Sequence, residues 1–352
     1  MNKDFIVPVG KIIKEYLDEY NVSQKELAAR LGMSEKHISN LLSGKSRLTE
    51  EVAINLESII KNVPATYWLN LESKYREYIA REEMYQRIVN NDLEMISKRF
   101  HFKEVFGGMD WSIEKQALEM LKLLGISDFD NFSKTYSNLA INFMEDGGKE
   151  EAIVIWLKLC EEEVEIQNNN LDDIEFKLAN LKKKLYLFKR LAESEQIEAI
   201  SKDCLKLCNR LGIYLVIYPA ITNCKVRGAL TTINSHPAIF LSGRFKTHDH
   251  MWFAFLHEIG HLLYHYDKKE TILSFEDDKG IKEEEANEFA RDLLIDSSEY
   301  QIYVDDGVFS ERSVRNFAIK QRTHPGIVVA RLQHDNHLKM SELNFLKAKI
   351  QL

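Results

Sequence analysis

The chain lacks most of what would mark it as secreted or membrane-bound. Its four cysteines (Cys160, Cys204, Cys208, Cys224) show neither paired CxxC spacing nor the density of a disulfide scaffold. Cys204 and Cys208 share a helix face at i and i+4, but reduced, packing thiols are the expectation for all four. The opening stretch, MNKDFIVPVGKIIKEY, has no apolar h-region of a signal peptide. The longest apolar runs, such as MWFAFL at 251–256, are too short to span a bilayer. A cytoplasmic protein without a membrane partner is therefore expected. There is no internal repeat and no low-complexity tract. Nor is there the basic excess of a wholesale nucleic-acid binder: 47 Lys and Arg stand against 55 Asp and Glu, a net charge of -8.

The 352 residues exceed one ordinary core, and their texture changes along the chain. Residues 9–78 hold short, clearly capped helical segments. Residues 79–200 keep helical periodicity with few breakers and many acids, as a helical connector or bundle would. From about 201 the pattern becomes α+β. IYLVIYP (213–219), KVRGALTTI (225–233) and AIFLS (238–242) read as strands, joined by turns at Pro219, Asn223 and Asn234. Helices follow at roughly 248–266 and 282–296, with two more between 310 and 350. The expectation is a multidomain chain: an all-α unit at 1–78, a helical connector at 79–200, and an α+β domain at 201–352.

The chemistry concentrates in His257-Glu258-x-x-His261. On a helix, residues i and i+4 share a face, so both imidazoles can turn a ring nitrogen towards one ion. Glu258 is offset and can take a proton from an attacking water instead of binding the metal, the division of labour of HExxH. The surrounding WFAFLHEIGHLLYH reads as an amphipathic helix, and Gly260 leaves room for another backbone. Core packing of two histidines is the bland alternative. A catalytic zinc, one per chain, needs a third protein ligand. His265 lies about 12 Å in rise from His257, whereas ligands at about 2 Å sit within roughly 3.5 Å of each other. The helix beginning IKEEEANEFARDLL offers Glu283, Glu284 and Glu285. Glu283 comes first because Asn287 follows at i+4, placed to orient a ligating imidazole, and Glu285 comes second. Any of the three also suits a solvated first turn.

At the other end, Ser23-Gln-Lys-Glu26 reads as a capping box opening QKELAARL. Gly32-Met33 supplies a turn, and Ser34 caps EKHISNLLSG, giving helix, turn, helix with the second helix directed at the major groove. Ile38, Leu41 and Leu42 point inward. Between 25 and 47 five basic residues (Lys25, Arg30, Lys36, Lys45, Arg47) face two acids (Glu26, Glu35), a local basic patch. Gln24 and Ser34 suit phosphates, leaving Lys36, His37, Ser39 and Asn40 for base edges of a double-stranded DNA operator.

Two resemblances join these signals. Leu211 to Leu332 resembles the ImmA/IrrE family of zinc metallopeptidases, in GIYLVIYPAI, ALTTINSHPAIFLSGR, DHMWFAFLHEIGHLLYH, EEEANEFARDLLI and HPGIVVARLQH. The resemblance implies a zincin-like, gluzincin-type site with its glutamate at the start of E-x-x-A-N, matching Glu283, and cleavage directed at regulatory proteins. Ile295-Asp296 departs from the family's Met-Pro. His324, before Pro325-Gly326, either assists the oxyanion or substrate, or caps a helix. Residues 8–78, through SQKELAARLGMSEKHISNLLSGKSRLTEEVAINLE and ATYWLNLESKY, resemble the XRE/Cro-type helix-turn-helix, particularly its HigA-like antitoxin version. Such domains act as homodimers on palindromic operators. The expected function is a DNA-binding regulator whose zinc peptidase cleaves a repressor or antitoxin, itself included. The rival is an antitoxin or transcription factor whose peptidase-like domain senses a signal or binds a small toxin.

Overall fold

The structure is a computed structural model describing residues 6–137, 149–167, 170–194, 199–244, 247–275 and 280–350. Its contacts divide into two compact units, 1–93 and 94–352.

The first unit holds five helices: α1 (Val9–Glu19), α2 (Gln24–Leu31), α3 (Glu35–Leu42), α4 (Glu50–Ile59) and α5 (Ala65–Val89). Ser23, Ser34 and Thr49 each accept the N–H three residues on, satisfying donors that the helix start leaves unpaired. The expected reciprocal capping box is only half formed. Ser23 Oγ accepts from Glu26 N–H, but the Glu26 carboxylate turns instead to Arg30, 2.5 Å away, because an ion pair one turn along outcompetes the return bond. Gly32 ends α2 at φ 66°, a left-handed conformation glycine adopts without strain. The core gathers Ile13, Leu17, Leu27, Ile38, Leu41, Leu56 and Trp68, the Trp68 ring lying edge-on to Tyr16.

The second unit is built on a four-stranded mixed sheet, β1 (Tyr214–Tyr218), β2 (Val226–Ile233), β3 (His236–Ser242) and β4 (Ile272–Phe275), in the order β1-β3-β2-β4. β1 runs parallel to β3, and the other pairs are antiparallel. Asn234 and Ser235, at φ 47° and 68°, make the two-residue turn between β2 and β3, the geometry that matches strand twist. β4 has no counterpart in the expected strands, since four residues at a sheet edge are too few for an alternation signal. Register shifts between Val226 and Gly228 against β4, so Arg227 sits in a bulge.

Across the sheet lies the helix His248–Tyr264, which carries HExxH. It is buried on nearly every face, not amphipathic as its sequence suggests; only His250, Phe253 and Tyr264 stand even partly clear. The sheet covers one side and helices the others, and Phe188 of Leu178–Ala192 packs 5.2 Å from Phe255. A helix from the expected connector, Glu150–Gln167, also joins this core. Its Trp156 is fully buried, donates Nε1–H to the Tyr218 carbonyl at 3.2 Å and meets Phe240 edge-on. All four cysteines are buried free thiols. Among the described residues no helix is long and apolar enough to cross a membrane.

Because Trp156 both fills volume and pairs with a strand carbonyl, Trp156→Ala should destabilise the second unit by about 3–5 kcal/mol in urea unfolding.

Candidate metal centre and nucleic-acid interface

His257 and His261 stand one turn apart on their helix, and both turn Nε2 the same way, 3.0 Å from each other. Opposite them, Glu283 enters from the helix Ile281–Leu294. Its Oε2 lies 3.1 Å from His257 Nε2 and its Oε1 3.0 Å from His261 Nε2. The three side chains are almost fully buried, and their donor atoms lie within 4.8 Å of one another. Asn287, one turn beyond Glu283, accepts at Oδ1 from His257 Nδ1 at 2.9 Å. A neutral His257 with its hydrogen on Nδ1 aims the Nε2 lone pair at the other imidazole and the carboxylate. Lone pairs converging at these distances repel unless a cation lies among them, so the donor set fits one zinc ion.

Gly260 explains how the second helix comes so near. A Cβ there would sit 3.0 Å from Ala286 Cα and 3.2 Å from its carbonyl oxygen, so a side chain at 260 would press directly on the facing backbone. Glu284 turns to Arg291 and Glu285 to His265, leaving Glu283 as the glutamate brought to the two imidazoles. His265 is not in the group; it meets His261 through Nδ1, 3.0 Å away.

Glu258 is 1% exposed, and its carboxylate oxygens make no well-formed hydrogen bond, the Ser274 hydroxyl being the group that faces them. Burial drives its carboxyl up to about 7; His261, the Ser274 hydroxyl and Arg227 oppose that rise and Glu283 adds to it. In Glu283 burial again works upward, but the two imidazoles beside it hold the carboxyl down at about 2. The two carboxyls are thus driven in opposite directions by their surroundings, Glu283 down and Glu258 up. The space for that carboxylate comes from Gly228, a residue the sequence reading passed over. A Cβ at Gly228 would lie 2.7 Å from Glu258 Cδ.

His324 caps the helix Pro325–His334, accepting from Gly326 N–H at Nδ1 (3.0 Å), with its ring 4.6 Å from that of His248. This placement accords with the capping role set beside the oxyanion role.

In the first unit α3 exposes Lys36, His37 and Ser39, half-buries Asn40, and buries Ile38, Leu41 and Leu42; Lys45 is exposed just beyond. Gln24 Nε2 donates to the Glu35 carbonyl at 3.2 Å, and Ser34 Oγ accepts from His37 N–H. Each keeps a further hydrogen for an incoming oxygen: the second amide hydrogen of Gln24 and the hydroxyl of Ser34.

Known families match both ends. The Helix-turn-helix family matches residues 13–68 and the IrrE N-terminal-like domain, of the peptidase M78 class, residues 208–322. Over 66 residues the chain is 44% identical to the uncharacterized HTH-type transcriptional regulator YddM of Escherichia coli (strain K12), covering 69% of that protein. The chain belongs to the XRE-type helix-turn-helix family. It is also 37% identical over 67 residues to Antitoxin HigA-1 of Vibrio cholerae serotype O1, covering 62% of it. Each alignment takes in 19% of the present chain, so these relatives speak for the helix-turn-helix alone. The helix-turn-helix is fused here to an IrrE N-terminal-like domain.

The Gly228–Glu258 packing yields a cycle. Gly228→Ala should cost about 1–3 kcal/mol of stability in chemical unfolding from overpacking, and Glu258→Ala introduced with it should recover most of that loss.

Proposed function

We propose that this chain is a DNA-binding transcriptional regulator whose second unit is a zinc peptidase acting on a regulatory protein. The observation that carries the enzymatic half is the convergence of His257, His261 and Glu283 beside a buried Glu258 carboxylate that makes no well-formed hydrogen bond. A zinc ion held there supplies Lewis acidity towards the scissile carbonyl and the attacking water. His257, His261 and Glu283 fix its position, and Asn287 fixes the His257 ring. Glu258 accepts the proton of the water as it adds to the carbonyl and returns it to the leaving nitrogen, a role suited to a group balanced near pH 7.

The substrate class follows from the fusion. A peptidase tethered to a helix-turn-helix acts where regulators meet on DNA, so its target is a repressor or antitoxin, another copy of this chain included. The likeness to the Vibrio cholerae antitoxin favours a second reading, in which the chain is an antitoxin-like regulator and the second unit binds a small toxin or a signal without hydrolysis.

Glu258→Gln separates the two. Purified, zinc-loaded protein mixed with candidate repressors, itself among them, should yield fragments that disappear in Glu258→Gln while one zinc per chain is retained. Fragment-free mixtures with wild-type protein, and unaltered regulation in cells carrying the variant, would sink hydrolysis.

For DNA, the exposed side of α3 suits readout of base edges through Lys36, His37, Ser39 and Asn40, with Gln24, Ser34 and Lys45 on phosphates, by a dimer on a palindromic operator as domains of this type act. Lys36→Ala and Asn40→Ala should each weaken operator binding by about 1–3 kcal/mol in a titration at fixed salt. Lys45→Ala should weaken all sequences alike and lower the salt slope by about 1.

A further inference from the structure

His265 and Glu285 are both displaced from the metal group, yet they are joined to it. His265 caps the HExxH helix, and its side chain is only 6% exposed. Its Nδ1 lies 3.0 Å from His261 Nδ1, and its Nε2 lies 2.8 Å from Glu285 Oε2. Glu285 reaches it from the same helix that delivers Glu283, two residues further on, with its own side chain 56% exposed.

The hydrogens in such a chain are not independent. Two imidazole nitrogens 3.0 Å apart hydrogen-bond only if one carries the hydrogen and the other a lone pair. A carboxylate accepts only, so the nitrogen of His265 facing Glu285, Nε2, is the one that carries the ring hydrogen. Nδ1 of His265 is then an acceptor, and His261 must place its own hydrogen on Nδ1. That leaves the lone pair of His261 on Nε2, the atom facing His257 and Glu283. With the opposite order, His261 would carry its hydrogen on Nε2, directed into the space where a cation would sit.

We infer that His265 and Glu285 form an outer relay that selects the metal-binding tautomer of His261, as Asn287 does for His257. Both are positioning residues; neither touches the ion. The inference rests on His257, His261 and Glu283 being the zinc ligands. It gives each imidazole its own acceptor: an amide oxygen for His257, and a histidine backed by a carboxylate for His261.

The test is zinc affinity of the full-length chain by competition with a chromophoric chelator. His265→Ala should weaken zinc binding about 10–100-fold. His265→Gln, whose amide oxygen can accept the same hydrogen bond, should recover most of that loss. Glu285→Ala should weaken binding roughly 3–10-fold, since water can partly replace an exposed carboxylate. Added to His265→Ala it should do nothing further, because it acts only through that ring. Glu284→Ala, the same change one residue away, should leave affinity unchanged. In cobalt-loaded protein the exchangeable Nδ1–H resonances of both ligands should appear, shifted by the metal; His265→Ala should abolish that of His261 and spare that of His257.

Unchanged affinity and an unchanged His261 resonance in His265→Ala would overturn the relay. Should that variant fail to fold, equal affinities for Glu285→Ala and Glu284→Ala would overturn it equally. A wild-type chain that takes up no zinc would instead overturn the metal centre itself, and the relay with it.

Discussion

Where Gly260 faces Ala286, a Cβ at position 260 would already press on the facing backbone at 3.0 Å, and the polar group of the second unit is arranged around that close crossing. Ala286 and Ala290 are fully buried along the seam. One turn either side of a fixed contact, helical periodicity leaves little choice of neighbours. Glu283 falls opposite His257 and His261, Asn287 beside the outer nitrogen of His257, and Glu285 beside His265. Four separate polar contacts are therefore one packing event. A larger residue at Gly260 would move all of them together, and because interiors are close-packed the shift would not be absorbed nearby.

The crossing also forces charge into the core, which is costly unless each group is answered. Glu283 is answered twice, by two imidazoles. Glu258 is answered far less: Gly228 gives it room, and its oxygens make no well-formed hydrogen bond. Two glutamates in one buried site are thereby driven in opposite directions, to about 2 and about 7. Their difference of role needs no difference of residue type, only that one is satisfied and the other far less so. A structure selected for stability alone would have paired Glu258.

How much of this is legible in the sequence depends on the range of each interaction. The spacing of His257, Glu258 and His261 is a property of a single helix, and so is Glu283 with Asn287 at i+4; local periodicity makes both visible. The distance argument that keeps His265 from the ion is likewise local. Its partnership with Glu285 is not, because the two residues come from different helices and meet only once Gly260 has let those helices approach. Gly228 is silent for the same reason: nothing in KVRGALTTI tells that a strand will pass the carboxylate of Glu258. The HExxH helix looked amphipathic because its histidines and glutamate read as a polar face, whereas burial has turned that face inward. In the first unit almost everything is local, so the turn at Gly32, the caps at Ser23 and Ser34 and the inward set Ile38, Leu41 and Leu42 could all be read directly. The choice of Glu26 between Ser23 and Arg30 escaped, and so did the length of α5, which runs on to Val89.

The same burial bears on selectivity. Glu258 and His261 are essentially inaccessible, and His257 and Glu283 are little more open, at 5% and 6%. A peptide bond must be presented to such a group by a segment whose surroundings fit the walls, so binding away from the scissile bond has to supply the work of positioning it. Digestion of unrelated proteins calls for the opposite, a site that most extended chains can enter. On the proposed peptidase reading, an enclosed centre is therefore suited to one partner, and a helix-turn-helix on the same polypeptide is a means of being near that partner. Placing such an enzyme beside its target would raise the effective concentration without any improvement in the site, so an enclosed and selective centre need not be a fast one.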